Sequence, residues 1–178
     1  MRLVLDACVL FPEVVRAALL SYARAGGFAP LWSGRILEEW ARAAGRTQGS
    51  AVEIAARAEA AAMDAAFPDA RVEGWEPLAD PAGLPDPADA HVLAAAVAGR
   101  ADGIVTFNIR DFPLRAMAAR GLARLHPDGF LRAEWAPGGR LGAALERLGH
   151  GERLAPMLKK SGMPRLAKAL RTDEGATR

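Results

Sequence analysis

Residues 84–113 read LPDPADAHVLAAAVAGRADGIVTFNIRDFP. Pro87 fits the first position of a helix, with Asp86 before it as N-cap and Asp89 in the first turn. Val92, Leu93, Ala96 and Val97 carry the helix to Gly99. DGIVTF, residues 102–107, then reads as a central strand, and NIRDFP as its exit turn. Asp89 shares a face with Val92, Leu93 and Ala96, so this carboxylate is expected to point inward. An inward carboxylate needs compensation.

Working outward, the same grammar repeats. Leu3, Val4 and Leu5 form a short apolar run that stops at Asp6. Pro12 opens a helix that ends at Gly26 and Gly27, and FAPLW, residues 28–32, is a second strand. Ser33 caps a helix over RILEEWARAAG, where Glu39 borders the apolar face and Glu38 faces solvent. A further helix covers roughly 50–66, and RVEGW, residues 71–75, is a weak strand before a Pro- and Gly-rich loop. After the exit turn come a short helix, a strand over GLARLH and a helix from Pro127. Strands alternating with helices predict an α/β fold around a parallel sheet.

Pro137, Gly138 and Gly139 break the composition. They divide a domain over 1–136 from a basic helical C-terminal extension over 137–178, with helices expected at 140–148 and 153–171. The overall charge of +2 conceals an asymmetry: residues 1–119 carry −4 and residues 120–178 carry +6. A basic tail beside an acidic body suits an anionic polymer, although a solvated helical surface would look the same.

Several chemistries are excluded or disfavoured. One cysteine, Cys8, rules out an intramolecular disulfide and a cysteine-based zinc site, and reads as a small core residue. There is no glycine-rich phosphate loop and no GxSxG elbow. No apolar run is long enough to span a bilayer and no secretory signal is visible, so a cytoplasmic protein is expected.

What remains is oxygen chemistry. In open parallel sheets, ligands bind beyond the carboxyl ends of the strands. Asp6 follows one strand; Asn108 and Asp111 follow another; Asp89 and Glu39 border inward faces of helices. Carboxylates gathered there would repel one another unless a divalent cation intervened, and hard oxygen donors suit Mg²⁺ or Mn²⁺. Such an ion supports phosphodiester hydrolysis. The plainer alternatives are helix capping by Asp86 and Asp89 and turn formation by Asn108 and Asp111. His91, two residues from Asp89, points away from it and suits a packing or exposed histidine better than a general base. Trp32 and Trp40 read as core, and Arg16, Arg110 and Arg115 could reach phosphates.

LDACVLFP with Asp6, SGRILEEW with Glu39, DPADAHVLAAA with Asp89, and DGIVTFNIRDFP together resemble the PIN-domain family, in its VapC-type toxin branch. The resemblance covers about residues 1–130. It implies a three-layer fold with strand order 3-2-1-4-5 flanked by helices. It also implies a metal-dependent endoribonuclease, often dimeric, restrained by a cognate antitoxin. By that pattern Asp6, Glu39 and Asp89 are the first three acids. The fourth position, often Asp, is Asn108 here, so either Asp111 supplies the missing charge or one ion is held. Competing readings are a PIN-like RNA- or protein-binding module without catalysis, and a structure-specific DNA nuclease.

Overall fold

The computed structural model describes residues 1–176, with side chains described through Thr172. Five short strands, β1 (Arg2–Leu5), β2 (Ala29–Ser33), β3 (Arg71–Val72), β4 (Gly103–Val105) and β5 (Ala123–Leu125), form one sheet in the order β3-β2-β1-β4-β5. Every pairing is parallel, as the alternation of elements and the family resemblance both anticipate. β1 is central: Leu3, Val4 and Leu5 are fully buried, because helices cover both faces. Its Val4 pairs with Leu31 of β2 and Ile104 of β4. Gly103 lets β5 close against β4, since a Cβ there would meet the Ala123 carbonyl at 2.6 Å.

The chain winds outward from β1 in one direction to β2 and β3, then crosses back to β4 and β5. The reversal lies between β1 and β4, where loops leaving the strand ends part and open a crevice. Asp6 and Asn108 leave those two strands.

The helices are α1 (Ala7–Leu10), α2 (Glu13–Arg24), α3 (Gly34–Gln48), α4 (Ser50–Ala66), α5 (Ala90–Ala98), α6 (Leu114–Ala118), α7 (Pro127–Glu134), α8 (Arg140–Glu146), α9 (Leu154–Lys160) and α10 (Pro164–Ala176). Ser33 caps α3 as expected, accepting from Ile36 N at 3.3 Å. Asp86 accepts from Ala88 N at 2.8 Å, but the turn it caps, Pro87–Asp89, is 3₁₀ and precedes α5. Three expectations need correction. The helix expected over 153–171 is two, because Gly162 takes φ +83° and Pro164 has no N–H to continue α9. The strand over 71–75 shrinks to Arg71–Val72, and Trp75 is buried beside His91 instead. Arg16 is not a surface arginine. It is buried under α4, donates to both Glu59 carboxylate oxygens at 2.6 and 2.7 Å, and stacks 4.6 Å from the Trp40 ring. Trp32 and Trp40 lie in the core, as anticipated.

The C-terminal helices pack onto the body. Leu141, Leu158, Met163 and Leu166 belong to the same buried apolar cluster as the sheet. Polar ties accompany them: Ser21 Oγ donates to Ala144 O at 2.7 Å and Arg140 donates to Gly26 O at 2.8 Å. The most buried tie is Asp128 of α7, only 3% exposed, which accepts from Arg165 N at 3.0 Å and Leu166 N at 2.8 Å. It therefore satisfies the first amides of α10. Asp128→Ala leaves those donors without an acceptor and is expected to cost about 1–3 kcal/mol, read by urea unfolding. A loss under a few tenths of a kcal/mol, the error typical of such comparisons, would remove this account of how α10 is docked.

Candidate active site

The register of β1 and β4 sets the first contact. Leu5 pairs with Val105, so the next rung places Asp6 beside Thr106. Asp6 N donates to Val105 O at 3.1 Å, which extends the ladder one residue past the strand. The Asp6 side chain is 5% exposed, and its Oδ2 accepts from Thr106 Oγ1 at 2.7 Å and Cys8 Sγ at 3.1 Å. Thr106 Oγ1 in turn accepts from Asn108 N at 2.9 Å, and Cys8 Sγ from Phe107 N at 3.2 Å. Burial, reinforced by the Asp6 charge, pushes the Cys8 thiol up to about 12. It stays protonated and acts as a donor. Thr106 and Cys8 thus fix the Asp6 carboxylate and the start of the β4 exit turn together. Neither role follows from the sequence alone. The signal there is the matched position of Asp6 and Thr106 after neighbouring strands, which only the pairing register turns into a contact.

Asp89 ends the 3₁₀ turn before α5 and is half-buried. Burial first, then the charges of Asp6, Asp111, Asp86 and Glu39, push its carboxyl up to about 6. Glu39 comes from α3. Its Oε2 lies 3.1 Å from His91 Nε2, and this hydrogen bond, ahead of the desolvation that opposes it, holds the Glu39 carboxyl below its ordinary value. His91 is 2% exposed, so it is a packing residue and not an exposed one. It joins α5 to α3 through the Glu39 carboxylate, a contact that sequence spacing along one helix could not reveal. Its other nitrogen, Nδ1, has no hydrogen-bond partner among the described residues.

Asp6, Glu39, Asp89 and Asn108 line one pocket of about 350 Å³, with Cys8, Phe11 and Arg46. The turn bearing Asn108 is held from below: Arg124 donates to Ile109 O at 2.8 Å and Phe112 O at 2.9 Å, and Phe112 is fully buried. Asp111 sits at the end of that turn, off the pocket wall, although its charge reaches Asp89. Arg110 and Arg115 are exposed and do not line the pocket. Arg46 does line it; among the described residues it forms no side-chain hydrogen bond or ion pair, and its charge lowers the Glu39 carboxyl. Glu38 instead pairs with Arg42 and Arg57 on the solvent side. A larger hollow of about 660 Å³ lies at the opposite strand ends, near Arg2, Ala29 and Ala70, with Asp69 as its one carboxylate among the described residues.

Chemically, the pocket offers three carboxylates and one amide oxygen to a guest. That donor set suits a hard divalent cation. Among the described residues no three His, Cys, Asp or Glu side chains are grouped so as to hold a metal ion by themselves, so a cation here would need waters or phosphate oxygens to complete its shell.

The Asp89 environment has a consequence for stability. A carboxyl raised in the fold favours the protonated state, so its contribution is complete below the ordinary carboxylate value near 4 and is lost as pH rises through about 6. In chelator, Asp89→Asn is expected to raise Tm at neutral pH and to leave it unchanged near pH 4, measured by calorimetry. A lower Tm at neutral pH would show that Asp89 is not opposed by its neighbours.

The PIN domain family pattern matches residues 2–110, which run from β1 into the exit turn of β4 and include Asp6, Glu39, Asp89 and Asn108. The chain is also 54% identical over 43 residues to the protein named "Putative ribonuclease VapC50" of Mycobacterium tuberculosis (strain ATCC 25618 / H37Rv). That match spans 24% of this chain and 25% of the relative. No solved structure matches the chain. With the parallel sheet in the order β3-β2-β1-β4-β5 beneath the matched residues, the chain belongs to the PIN domain family.

Proposed function

We propose that this protein is a metal-dependent endoribonuclease that cleaves RNA phosphodiester bonds, and the toxin of a type II toxin–antitoxin pair. The observation that carries the reading is the crowding of Asp6, Asp89 and Glu39 with Asn108 in one pocket at the reversal of the sheet, with the Asp89 carboxyl pushed up to about 6. Membership of the PIN domain family supports nuclease chemistry, and the name of the partial relative supports RNA as substrate and a toxin role. A cognate antitoxin and a homodimer belong to the same reading. No helix among the described residues is long and apolar enough to cross a membrane, which fits a cytoplasmic site of action.

Asp6, Asp89 and Asn108 would hold Mg²⁺ or Mn²⁺, with Asp111 adding charge from outside the pocket. When bound, the ion would supply positive charge for a phosphoryl oxygen and lower the pKa of water. The chain's own residues do the rest. Asp6 is kept in one orientation by Thr106 and Cys8. Glu39, held ionised by His91, accepts the proton of the attacking water. Arg46, at the pocket wall without a side-chain hydrogen bond or ion pair among the described residues, takes a non-bridging oxygen of the substrate phosphate. In-line attack breaks the P–O3′ bond, and the departing oxygen takes a proton from solvent, leaving a 5′-phosphate and a 3′-hydroxyl. Because Asn108 is neutral and Asp111 lies off the wall, the donor set favours one ion over two.

Asp6→Asn is expected to abolish Mn²⁺-dependent cleavage of single-stranded RNA and to weaken Mn²⁺ binding by calorimetry, while the circular dichroism spectrum is kept. Thr106→Val removes the donor to Asp6 together with the acceptor of the Asn108 amide, and is expected to cost roughly 10–100-fold in activity or metal affinity. Full cleavage by Asp6→Asn would end this reading. Mn²⁺-independent RNA binding without cleavage by the wild type would favour a binding module, and cleavage of flapped DNA in preference to RNA would reassign the substrate.

A further inference from the structure

An acidic pocket does not by itself attract a polyanion. Arg46 is the one cation on its wall among the described residues. The chain must hold RNA elsewhere, and the charge asymmetry places its surplus cations after residue 120.

A groove of about 540 Å³ runs between α7 and α10. Arg132 of α7 and Arg165 and Lys168 of α10 line it, over a floor of Gly129, Ala133 and Ala169. No acidic side chain lines it among the described residues. All three cations are exposed, and none makes a side-chain hydrogen bond or ion pair among the described residues. Elsewhere Arg16, Arg42, Arg57, Arg71 and Arg120 sit in salt bridges, while in this groove three cations converge without one among the described residues. Three unpaired cations over a small-residue floor leave room for a polymer backbone to lie between the helices.

The groove starts at the right edge of the molecule. α7 begins at Pro127, immediately beyond β5, at the strand ends where the pocket opens. Asp128 fixes the first turn of α10 to the first turn of α7. Just above, His126 packs edge-on to Phe107 with ring centroids 5.2 Å apart, and Gly162, in the turn before α10, also abuts Phe107. Phe107 is the residue before Asn108. The groove therefore runs away from the turn that bears a pocket ligand.

We propose that the α7–α10 groove binds the phosphate backbone of RNA flanking the cleavage site, through Arg132, Arg165 and Lys168. The inference rests on the endoribonuclease reading for what the groove serves, but its binding is measurable without catalysis. The test uses the full chain in chelator with a fluorescent 20-nucleotide oligouridylate, titrated over a range of KCl. Removing one cation that neutralises a phosphate should flatten the plot of log K against log salt by about 0.7. Arg132→Gln/Arg165→Gln/Lys168→Gln is therefore expected to flatten it by about 2 and to weaken binding, with an unchanged melting curve. Arg132→Lys/Arg165→Lys, which keeps the charges, is expected to keep the wild-type slope. In Mn²⁺, the Gln variant is expected to cleave a tetranucleotide, too short to fill the groove, at the wild-type rate.

An unchanged salt slope in the Gln variant overturns the groove proposal, whether or not the wild type cleaves RNA. So does an equal loss in the Lys variant, or binding of poly-glutamate that the Gln variant loses in the same way, which would assign the groove to an acidic protein. A wild type that binds the oligouridylate through the groove yet cleaves nothing would sink the nuclease reading and leave the groove standing.

Discussion

Negative charge forced together at one edge of a parallel sheet is the constraint on which the rest of this structure depends. Parallel strands buried on both faces deliver their loops to a common edge, and here those loops and the neighbouring helix starts deliver carboxylates. The fold does not spread them apart. Asp6 is pinned by Thr106 and Cys8, Glu39 by His91, and the Asn108 turn by Arg124 and buried Phe112. Asp89, without a side-chain hydrogen bond among the described residues, absorbs the repulsion as a raised carboxyl. A protein selected for stability alone would put an amide or a cation there. Holding like charges in place by second contacts makes sense when a guest of opposite charge is part of the design.

Much of this is legible in the sequence because it depends on short-range rules. Apolar runs of three to six residues ending at Asp6 and before Asn108 mark buried strands, and Ser33 and Asp86 mark helix starts by capping chemistry. Asp6, Glu39, Asp89 and Asn108 stand out because their type conflicts with an inward or strand-end position, and all four reach one pocket. What escapes depends on pairs distant along the chain. Thr106 looks like an ordinary strand residue until β1 and β4 are in register. Arg46 looks like any exposed residue of α3, and Arg16 gives no hint that Glu59, 43 residues away, will take it into the core. Asp111, three residues beyond Asn108, lies outside that pocket's lining, while its charge still acts on Asp89.

The electrostatics of the two parts are complementary in a way neither shows alone. Several body arginines are consumed internally, Arg16 by Glu59, Arg57 by Glu38 and Glu53, and Arg71 by Asp64 and Glu73. That pairing stiffens the α3–α4 layer but leaves little free positive charge near the acidic edge. Arg132 of α7 and Arg165 and Lys168 of α10 have no side-chain partner among the described residues. Because Asp128 ties α10 to α7 at the end nearest Phe107, the free cations are held at a fixed place relative to the pocket. A loosely tethered basic tail would raise the local concentration of an anion without aiming it.

His91 shows most plainly what the site costs. A buried nitrogen without a partner is penalised by about 1–3 kcal/mol, and Nδ1 of His91 is such a nitrogen among the described residues. An apolar side chain of similar size would pack against Trp75 without that penalty. It could not donate from Nε2 to Glu39 across the gap between α5 and α3. The tolerated defect therefore buries one nitrogen so that the other can hold a carboxylate half in solvent, aimed into the pocket and ionised. Removing the defect by an apolar replacement would tighten the core and release the Glu39 carboxylate from its contact with the ring.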